Sequence, residues 1–180
     1  MEIDRGFKQT EAGIIPIDWE CKSLGSITTR IGDGLHGTPN YSSNGNYSFI
    51  NGNNLVEGKI EVAKETMMVD YSEFQKNNKF LSDKSILISI NGTIGNLALY
   101  NGEKIMLGKS AAYLNLQSEI CRKFIYYSLQ TQNVIQKFFY GLTGSTIGNL
   151  GLTTIRQTYI ALPSKKEQQA IALTLNDVDL

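Results

Sequence analysis

The segment Gly32–Gly37, G-D-G-L-H-G, matches the G-x-G-x-x-G fingerprint of dinucleotide-binding proteins. That chemistry needs a helix to begin at the glycines, so that the helix N-terminus faces the pyrophosphate. Here Thr38-Pro39-Asn40 follows, and then serine, asparagine and glycine, a composition typical of turns. We therefore reject cofactor binding at this segment. Its polar residues, held on a glycine-rich frame, are instead candidates for binding: Asp33, His36, Thr38 and Asn40.

A second glycine motif, Gly108-Lys109-Ser110, matches the end of a phosphate-binding loop. The full motif needs a glycine five positions before Gly108, where this chain has Glu103. The sequence therefore does not support nucleotide hydrolysis. Lys109 stays a candidate binding residue.

The sequence lacks the motifs of two other enzyme classes, base methyltransferases and metal-dependent nucleases. Methyl transfer to a base needs a cofactor loop and an N/D-P-P-aromatic motif, but the three prolines (Pro16, Pro39 and Pro163) are isolated. Glu57-Gly58-Lys59 has the E-x-K spacing of metal-dependent nucleases without a preceding Pro-Asp, so it predicts a turn. We expect no catalytic residue, no metal site and no cofactor.

The stretch Leu87–Asn96, L-I-S-I-N-G-T-I-G-N, predicts a strand that reverses at Asn91-Gly92 and returns. Thr93 and Asn96 lie at its tip and carry hydroxyl and amide groups. Polar side chains held on a loop by a rigid sheet are a common recognition surface, although an ordinary hairpin has the same pattern. Two more candidates, in a turn between two short predicted strands, are Asn51 and Asn53.

The pattern T-I-G-N-L-x-L occurs twice, at Thr93–Leu99 and at Thr146–Leu152. It is too short to indicate a duplicated domain. The repeat is either chance or the mark of two loops built alike on one face, and the sequence leaves both open. The second copy, in a glycine-rich loop, contributes three further candidates: Ser145, Thr146 and Asn149.

The composition predicts one domain that is not strongly basic. The chain has 180 residues with 41% hydrophobic and 19% charged residues, enough for a real core. Basic and acidic residues both number 17, which argues against a domain that holds nucleic acid alone. Met1–Thr10 is no apolar signal segment and no run approaches the ~18 apolar residues of a membrane span, so we expect a cytoplasmic protein without a membrane partner. Cys21 and Cys121 fit no metal-ligand spacing.

Apolar spacing predicts two helices and a strand in the last third of the chain. Ser118–Tyr140 has apolar residues at helical intervals and a serine that can cap it. Thr153–Leu162 predicts a strand that ends at Pro163. Ser164–Glu167 matches the capping box that opens a last helix. On that helix a narrow apolar seam, suited to another helix, consists of Ile171, Leu175 and Val178.

Together these elements predict an α+β fold with a twisted, mostly antiparallel sheet and packed helices. Hairpin turns favour antiparallel pairing, and the chain has no regular strand–helix alternation of a wound parallel sheet. We expect one domain over residues 1–162 and a last helix over residues 163–180.

Five segments, in this order and spacing, carry a family resemblance over nearly the whole chain. They are I-I-P-I-D-W-E at Ile14–Glu20, I-G-D-G-L-H-G-T-P at Ile31–Pro39, I-L-I-S-I-N-G-T-I-G at Ile86–Gly95, G-S-T at Gly144–Thr146 and L-P-S-K-K-E-Q-Q-A-I-A at Leu162–Ala172. The chain resembles the specificity (S) subunit of type I restriction–modification systems. The opening of the last helix is the most specific of the five segments. One departure is Lys84-Ser85, where the family often has Gly-Asp.

The resemblance implies that residues 1–162 are a target recognition domain for one half of a bipartite DNA site. It implies that residues 163–180 begin the conserved helix that spaces the half-sites as a coiled coil, here truncated. The implied partners are double-stranded DNA, a methyltransferase (M) subunit and a restriction (R) subunit. The family's S subunit normally has two recognition domains, so three possibilities stay open: a half-subunit that pairs with a second copy, a truncated gene, or an isolated domain.

The leading hypothesis is sequence-specific DNA recognition without catalysis, and the alternative is an assembly module that has lost DNA binding. Base recognition needs hydrogen-bonding side chains on rigid loops, but turn chemistry selects the same residue types. The expected DNA-binding residues are Asp33, His36, Thr38, Asn40, Asn51, Asn53, Thr93, Asn96, Lys109, Ser145, Thr146 and Asn149. The expected partner interface is Ile171, Leu175 and Val178.

Overall fold

A computed structural model describes residues 5–143 and 148–178 and has a mixed α+β fold, as the sequence predicts. The strands are β1 Phe7–Thr10, β2 Gly13–Pro16, β3 Glu20–Ser23, β4 Thr28–Asp33, β5 Tyr47–Ile50, β6 Leu55–Val56, β7 Lys59–Ile60, β8 Met68–Val69, β9 Ser85–Ser89, β10 Leu97–Leu99, β11 Ile105–Leu107, β12 Ala111–Leu116, β13 Leu142–Thr143, β14 Asn149–Leu150 and β15 Tyr159–Leu162. The helices are α1 Tyr71–Asn77, α2 Arg122–Leu129, α3 Gln132–Tyr140, α4 Leu152–Gln157 and α5 Lys165–Val178.

The central sheet has four antiparallel strands in the order β10-β9-β12-β4. The predicted hairpin is confirmed, because β9 pairs with β10 and Leu97 lies opposite Ile88. Gly92 has φ +74° and Gly95 has φ +91°, values that glycine adopts without steric cost. The turn therefore lies at one end of the sheet, beside the end of β4 and the start of β12.

Among the paired strands of the described residues, one pair is parallel. β5 pairs with β11 in parallel and with β8 in antiparallel orientation, which forms a three-stranded sheet. The long connection between β5 and β11 allows this orientation, since a parallel pair cannot be joined by a tight hairpin. The expectation of a mostly antiparallel arrangement is confirmed.

The central sheet is covered on both faces. Ile86 and Ile88 of β9 belong to the larger core cluster, which includes Phe124 of α2 and Phe138 of α3. Leu87, between them on the strand, belongs to a second cluster with β5 and β11 residues. Alternate residues of a strand point to opposite faces, so a strand that is apolar throughout matches a sheet buried on both sides. This burial makes the sheet a rigid support for the loops at its ends.

The prediction of one long helix over Ser118–Tyr140 is wrong. The segment forms α2 and α3, and the backbone leaves the helix at Gln130 and restarts after Thr131. The Thr131 hydroxyl donates to the Ser128 carbonyl oxygen at 2.8 Å, a local bond that competes with helix continuation. The apolar spacing persists across the break because both helices pack on the same sheet face.

The prediction of a strand over Thr153–Leu162 is also wrong in its first half. That half forms α4, and only Tyr159–Leu162 is a strand, β15, which pairs with β3. Ile155, a residue of α4, is fully buried in the larger core cluster. Thr153, Thr154 and Ile155 are β-branched and slightly disfavour a helix, but burial of one side of this short helix outweighs that weak preference.

The capping box that opens α5 is confirmed. The Ser164 backbone N–H donates to Glu167 Oε2 at 3.0 Å, and the Glu167 N–H donates to Ser164 Oγ at 3.4 Å. The helix packs against α2, and Ile171 lies partly buried against the core. Within the part of the chain that the structure describes, no helix has the length and apolar character needed to cross a membrane.

Candidate nucleic-acid interface

A cleft of about 480 Å³ lies at the end of the central sheet where β4 and β9 finish. Its polar lining is formed by Asp33, His36, Asn91, Lys109 and Asn149, which come from segments far apart in the sequence. Four of these five residues are candidates from the sequence. The rest of the lining is apolar or glycine: Ile90, Leu150, Gly151 and Leu152.

The loop after β4 and the loop before β12 are held together closely. The Leu35 backbone N–H donates to the Leu107 carbonyl oxygen at 2.7 Å, and Leu35 pairs with Gly108. A Cβ at Gly34 would lie 2.2 Å from the Leu107 carbonyl oxygen, so only glycine fits there. The glycine of the rejected dinucleotide motif therefore permits backbone packing, and this packing brings His36 and Lys109 to one cleft.

His36 and Asp33 form a close pair. His36 Nε2 lies 2.6 Å from Asp33 Oδ2, and the histidine side chain is 72% exposed. Because an ionised carboxylate only accepts hydrogen bonds, Nε2–H is the donor in this pair. The ring is thus oriented by Asp33, and Nδ1 is the nitrogen that a ligand can approach. Lys109, also exposed, adds a cation to the same cleft.

The segment just before the first copy of the repeated pattern pairs with the second copy. Asn91, before the first copy, pairs with Asn149 of the second in an antiparallel bridge. The Leu150 N–H donates to the Ile90 carbonyl oxygen at 2.9 Å. The two segments therefore lie side by side, but the copies are not built alike, because Leu97–Leu99 is strand β10 whereas Leu152 begins helix α4. The candidates Ser145 and Thr146 lie outside the described residues.

Three asparagine candidates hold loops in place. Asn40 Nδ2 donates to Glu73 Oε2 at 3.0 Å, and Asn96 Nδ2 donates to the Leu55 carbonyl oxygen at 3.1 Å. Asn51 Oδ1 accepts from the Ser110 hydroxyl at 3.0 Å. These bonds give each side chain a role in the fold, so a role in DNA binding would have to use its remaining polar atoms.

The other three candidates are exposed residues outside the cleft lining. They are Thr38, Asn53 and Thr93. Thr93 follows Gly92 at the tip of the hairpin, so it is close in sequence to the cleft residue Asn91. A role for any of them in binding stays a prediction.

Two of the three predicted interface residues on α5 line an apolar groove of about 390 Å³. Ile171 and Leu175 line it together with Ile14 and Trp19, and Leu175 is 39% exposed. The side chain of Val178 lies outside the described residues. The packing of Ile171 on its own domain leaves Leu175 as the more accessible part of the seam.

Comparison with known families identifies the family of this chain. Residues 16–180 match the model of the type I restriction modification DNA specificity domain. The chain belongs to this family. A curated relative of the specificity domain is the MjaX specificity subunit of a type I restriction enzyme from Methanocaldococcus jannaschii, 29% identical over 183 residues. That alignment covers 98% of this chain and 43% of the relative.

Solved structures show the same fold for the specificity domain. An S subunit from M. genitalium gives a TM-score of 0.63 at 22% identity, over 99% of this chain and 41% of that chain. The HsdS subunit from Thermoanaerobacter tengcongensis gives a TM-score of 0.68 at 18% identity, over 97% of this chain and 40% of that chain. A chain from a study of complex assembly in the type I R-M system gives a TM-score of 0.71 at 19% identity, over 92% of this chain and 39% of that chain. The chain thus spans about two fifths of the length of these proteins.

Sequence reasoning did not include Asn91, which lines the cleft, among the candidate residues. Asn91-Gly92 was sufficient to predict a turn, so no further role for the asparagine was needed. The backbone angles show that only Gly92 has positive φ, while Asn91 does not. The signal that could have identified Asn91 was its position two residues before the repeated pattern.

Proposed function

We propose that this chain recognises one half of a bipartite DNA site for a type I restriction–modification complex and catalyses no reaction itself. The observation that carries the proposal is the cleft, which gathers Asp33, His36, Asn91, Lys109 and Asn149 at one end of a buried sheet in a chain of the specificity-domain family. Hydrogen-bonding side chains on a rigid support are what base recognition requires.

The chemistry of the cleft suits DNA better than a small anion. It offers amide groups that donate and accept, an oriented imidazole and one ammonium, beside an apolar floor that can contact a thymine methyl group. The carboxylate of Asp33 offsets the charge of Lys109, so the cleft has little attraction for anions in general. Selection among base edges, rather than strong attraction to phosphate, is the function that this mixture supports.

The family resemblance implies the M and R subunits as partners, and the charge balance indicates what the M subunit would supply. The formal net charge is zero, so counterion release contributes little to DNA affinity. We expect the chain alone to bind DNA weakly, and we assign the missing phosphate contacts to the M subunit. The R subunit is the implied partner for cleavage. Cytoplasmic location is part of the same proposal, since the complex acts on cellular DNA.

We assign residues 1–162 to target recognition and residues 163–180 to the start of the spacer helix. Three observations support the division: Pro163 separates β15 from α5, the capping box at Ser164 starts a new helix, and Leu175 is half-exposed. The seam of Ile171, Leu175 and Val178 is then the contact for a second copy or another S-subunit half.

Selection from random DNA tests the proposed function. The chain, with and without an M subunit of the same system, is incubated with a pool of random-sequence duplexes, and the bound fraction is sequenced. We expect one short enriched motif, recovered more efficiently with the M subunit present. A pool without any enriched motif under both conditions would contradict DNA recognition and would leave the assembly role.

A further inference from the structure

Asn91 and Asn149 form a pair of amides whose backbones are fixed. They are opposite each other in an antiparallel bridge, so their side chains lie on the same side of the two segments. Behind them, the Asn91 carbonyl oxygen accepts from the buried Ser89 hydroxyl at 3.2 Å, and the Asn149 carbonyl oxygen accepts from the Thr143 hydroxyl at 3.4 Å. Both line the cleft.

The backbone does not explain why either residue is asparagine. Asn91 has no positive φ, so the turn does not require its tolerance for that conformation. Asn149 lies in strand β14, where asparagine is disfavoured. Within the described residues, neither side-chain amide makes an intramolecular hydrogen bond. The two amides are therefore placed for contacts outside the fold.

The chemistry of a carboxamide indicates what such a contact would be. Asparagine can donate to N7 and accept from N6 of adenine at the same time, which distinguishes adenine from the other bases in the major groove. Residues directly opposite in a sheet have Cβ atoms about 4.5–5.5 Å apart, comparable to the rise of about 3.4 Å per base pair. Two amides at this spacing can address the same or neighbouring base pairs.

We propose that Asn91 and Asn149 together determine specificity for adenine at one base pair or at two adjacent base pairs of the half-site. The inference rests on the proposed function and deepens it by naming the bases that the cleft recognises. It also gives Asn91, a residue outside the set expected from sequence, a role equal to that of Asn149.

The test repeats the random-duplex selection, in the presence of the M subunit, with Asn91→Ala and Asn149→Ala. We expect each variant to lose on the order of 10- to 100-fold discrimination for adenine, at the same position or at two adjacent positions of the motif. The rest of the motif should be unchanged. Asn91→Asp and Asn149→Asp, which keep the size of the side chain but lose the donor, should lose the same preference.

Gln117→Ala is the matched control. This amide follows β12 at the opposite end of the sheet and donates to the Ser26 carbonyl oxygen at 3.2 Å, so its loss also removes one hydrogen bond from the fold. We expect the Gln117→Ala variant to select the same DNA motif as the unmodified chain. Thermal unfolding of each variant separates folding defects from changes in specificity.

Two results would overturn the inference while the proposed function stands. One is a wild-type motif that neither asparagine variant alters, and the other is relaxation at bases other than adenine or at separated positions. The absence of any motif for the unmodified chain is a different failure, because it contradicts the proposed function itself.

Discussion

The side chain of Gln168 joins the start of the last helix to the start of α2. Its Oε1 accepts from the Cys121 backbone N–H at 3.0 Å, and its Nε2 donates to the Pro163 carbonyl oxygen at 2.9 Å. Gln168 is only 3% exposed, so these two bonds satisfy polar groups that water cannot reach. The first glutamine of the family segment Leu162–Ala172 therefore has a role in the fold.

Removal of this amide should destabilise the domain. Gln168→Ala leaves the Cys121 N–H and the Pro163 carbonyl unpaired, and we expect the free energy of unfolding to fall by about 2–4 kcal/mol. Gln169→Ala, at the exposed neighbour, should change it by less than about 0.5 kcal/mol. Urea unfolding of both variants measures the difference. Equal losses would show that the buried bonds are not the cause.

The fold prediction succeeded where local chemistry and long-range packing agree. The Asn91-Gly92 turn and the Ser164–Glu167 capping box both depend on neighbours in sequence, and both are present. The predicted helix over Ser118–Tyr140 failed because Phe124 and Phe138 keep helical spacing across a break. Their packing on one sheet face, rather than one continuous helix, produces that spacing.

The cleft could be predicted only in part. Asp33, His36, Lys109 and Asn149 were found from residue types on glycine-rich loops, but their proximity was not visible in the sequence. It depends on the Leu35–Gly108 and Asn91–Asn149 pairings, which join segments distant along the chain. Spacing along a sequence does not determine such pairings.

Lys109 should contribute to DNA affinity without regard to sequence. As an exposed cation at the cleft, it is placed for a phosphate contact, and Lys109→Ala should weaken binding to selected and scrambled duplexes alike. The slope of log affinity against log salt should fall in magnitude by about 1. Lys166→Ala, at an exposed position of α5, should leave the slope unchanged. A change of motif in Lys109→Ala would instead assign the lysine to a base.

Leu175 should govern self-association of the chain. Because Leu175 is 39% exposed beside an apolar groove, Leu175→Asp should shift any concentration-dependent dimer toward monomer. Leu173→Asp is the matched control, because Leu173 is a more exposed leucine on another face of α5. This variant should not change the monomer–dimer equilibrium. Sedimentation over a concentration series measures both. Dimerisation that is lost in the Leu173 variant and kept in the Leu175 variant would contradict the proposed seam.

The capping box should make the stability of α5 depend on acid pH. Hydrogen bonds from the Ser164 hydroxyl, and then from its backbone N–H, hold the pKa of Glu167 below its ordinary value of 4.5. A lowered folded-state pKa means that the carboxylate stabilises the fold above the unfolded pKa, and this contribution is lost as pH falls through the folded pKa.

Glu167→Gln should therefore be less stable than the unmodified chain near neutral pH, and the difference should shrink in acid. Ser164→Ala should show the same trend, because it removes the donor to the carboxylate. Urea unfolding at about pH 7 and about pH 3 compares the variants. A difference that is the same at both pH values would show that Glu167 ionisation does not contribute.

Amide hydrogen exchange tests the central claim most directly, because it shows which end of the sheet binds DNA. Exchange is measured for the complex of the chain and its M subunit, once with the selected duplex and once with a scrambled duplex. Protection by the M subunit is then the same in both measurements and cancels. We expect the selected duplex to add protection in residues 33–38, 90–96 and 149–152, around the cleft. Equal protection by both duplexes, or protection confined to α5 and the opposite end of the sheet, would contradict recognition by this cleft.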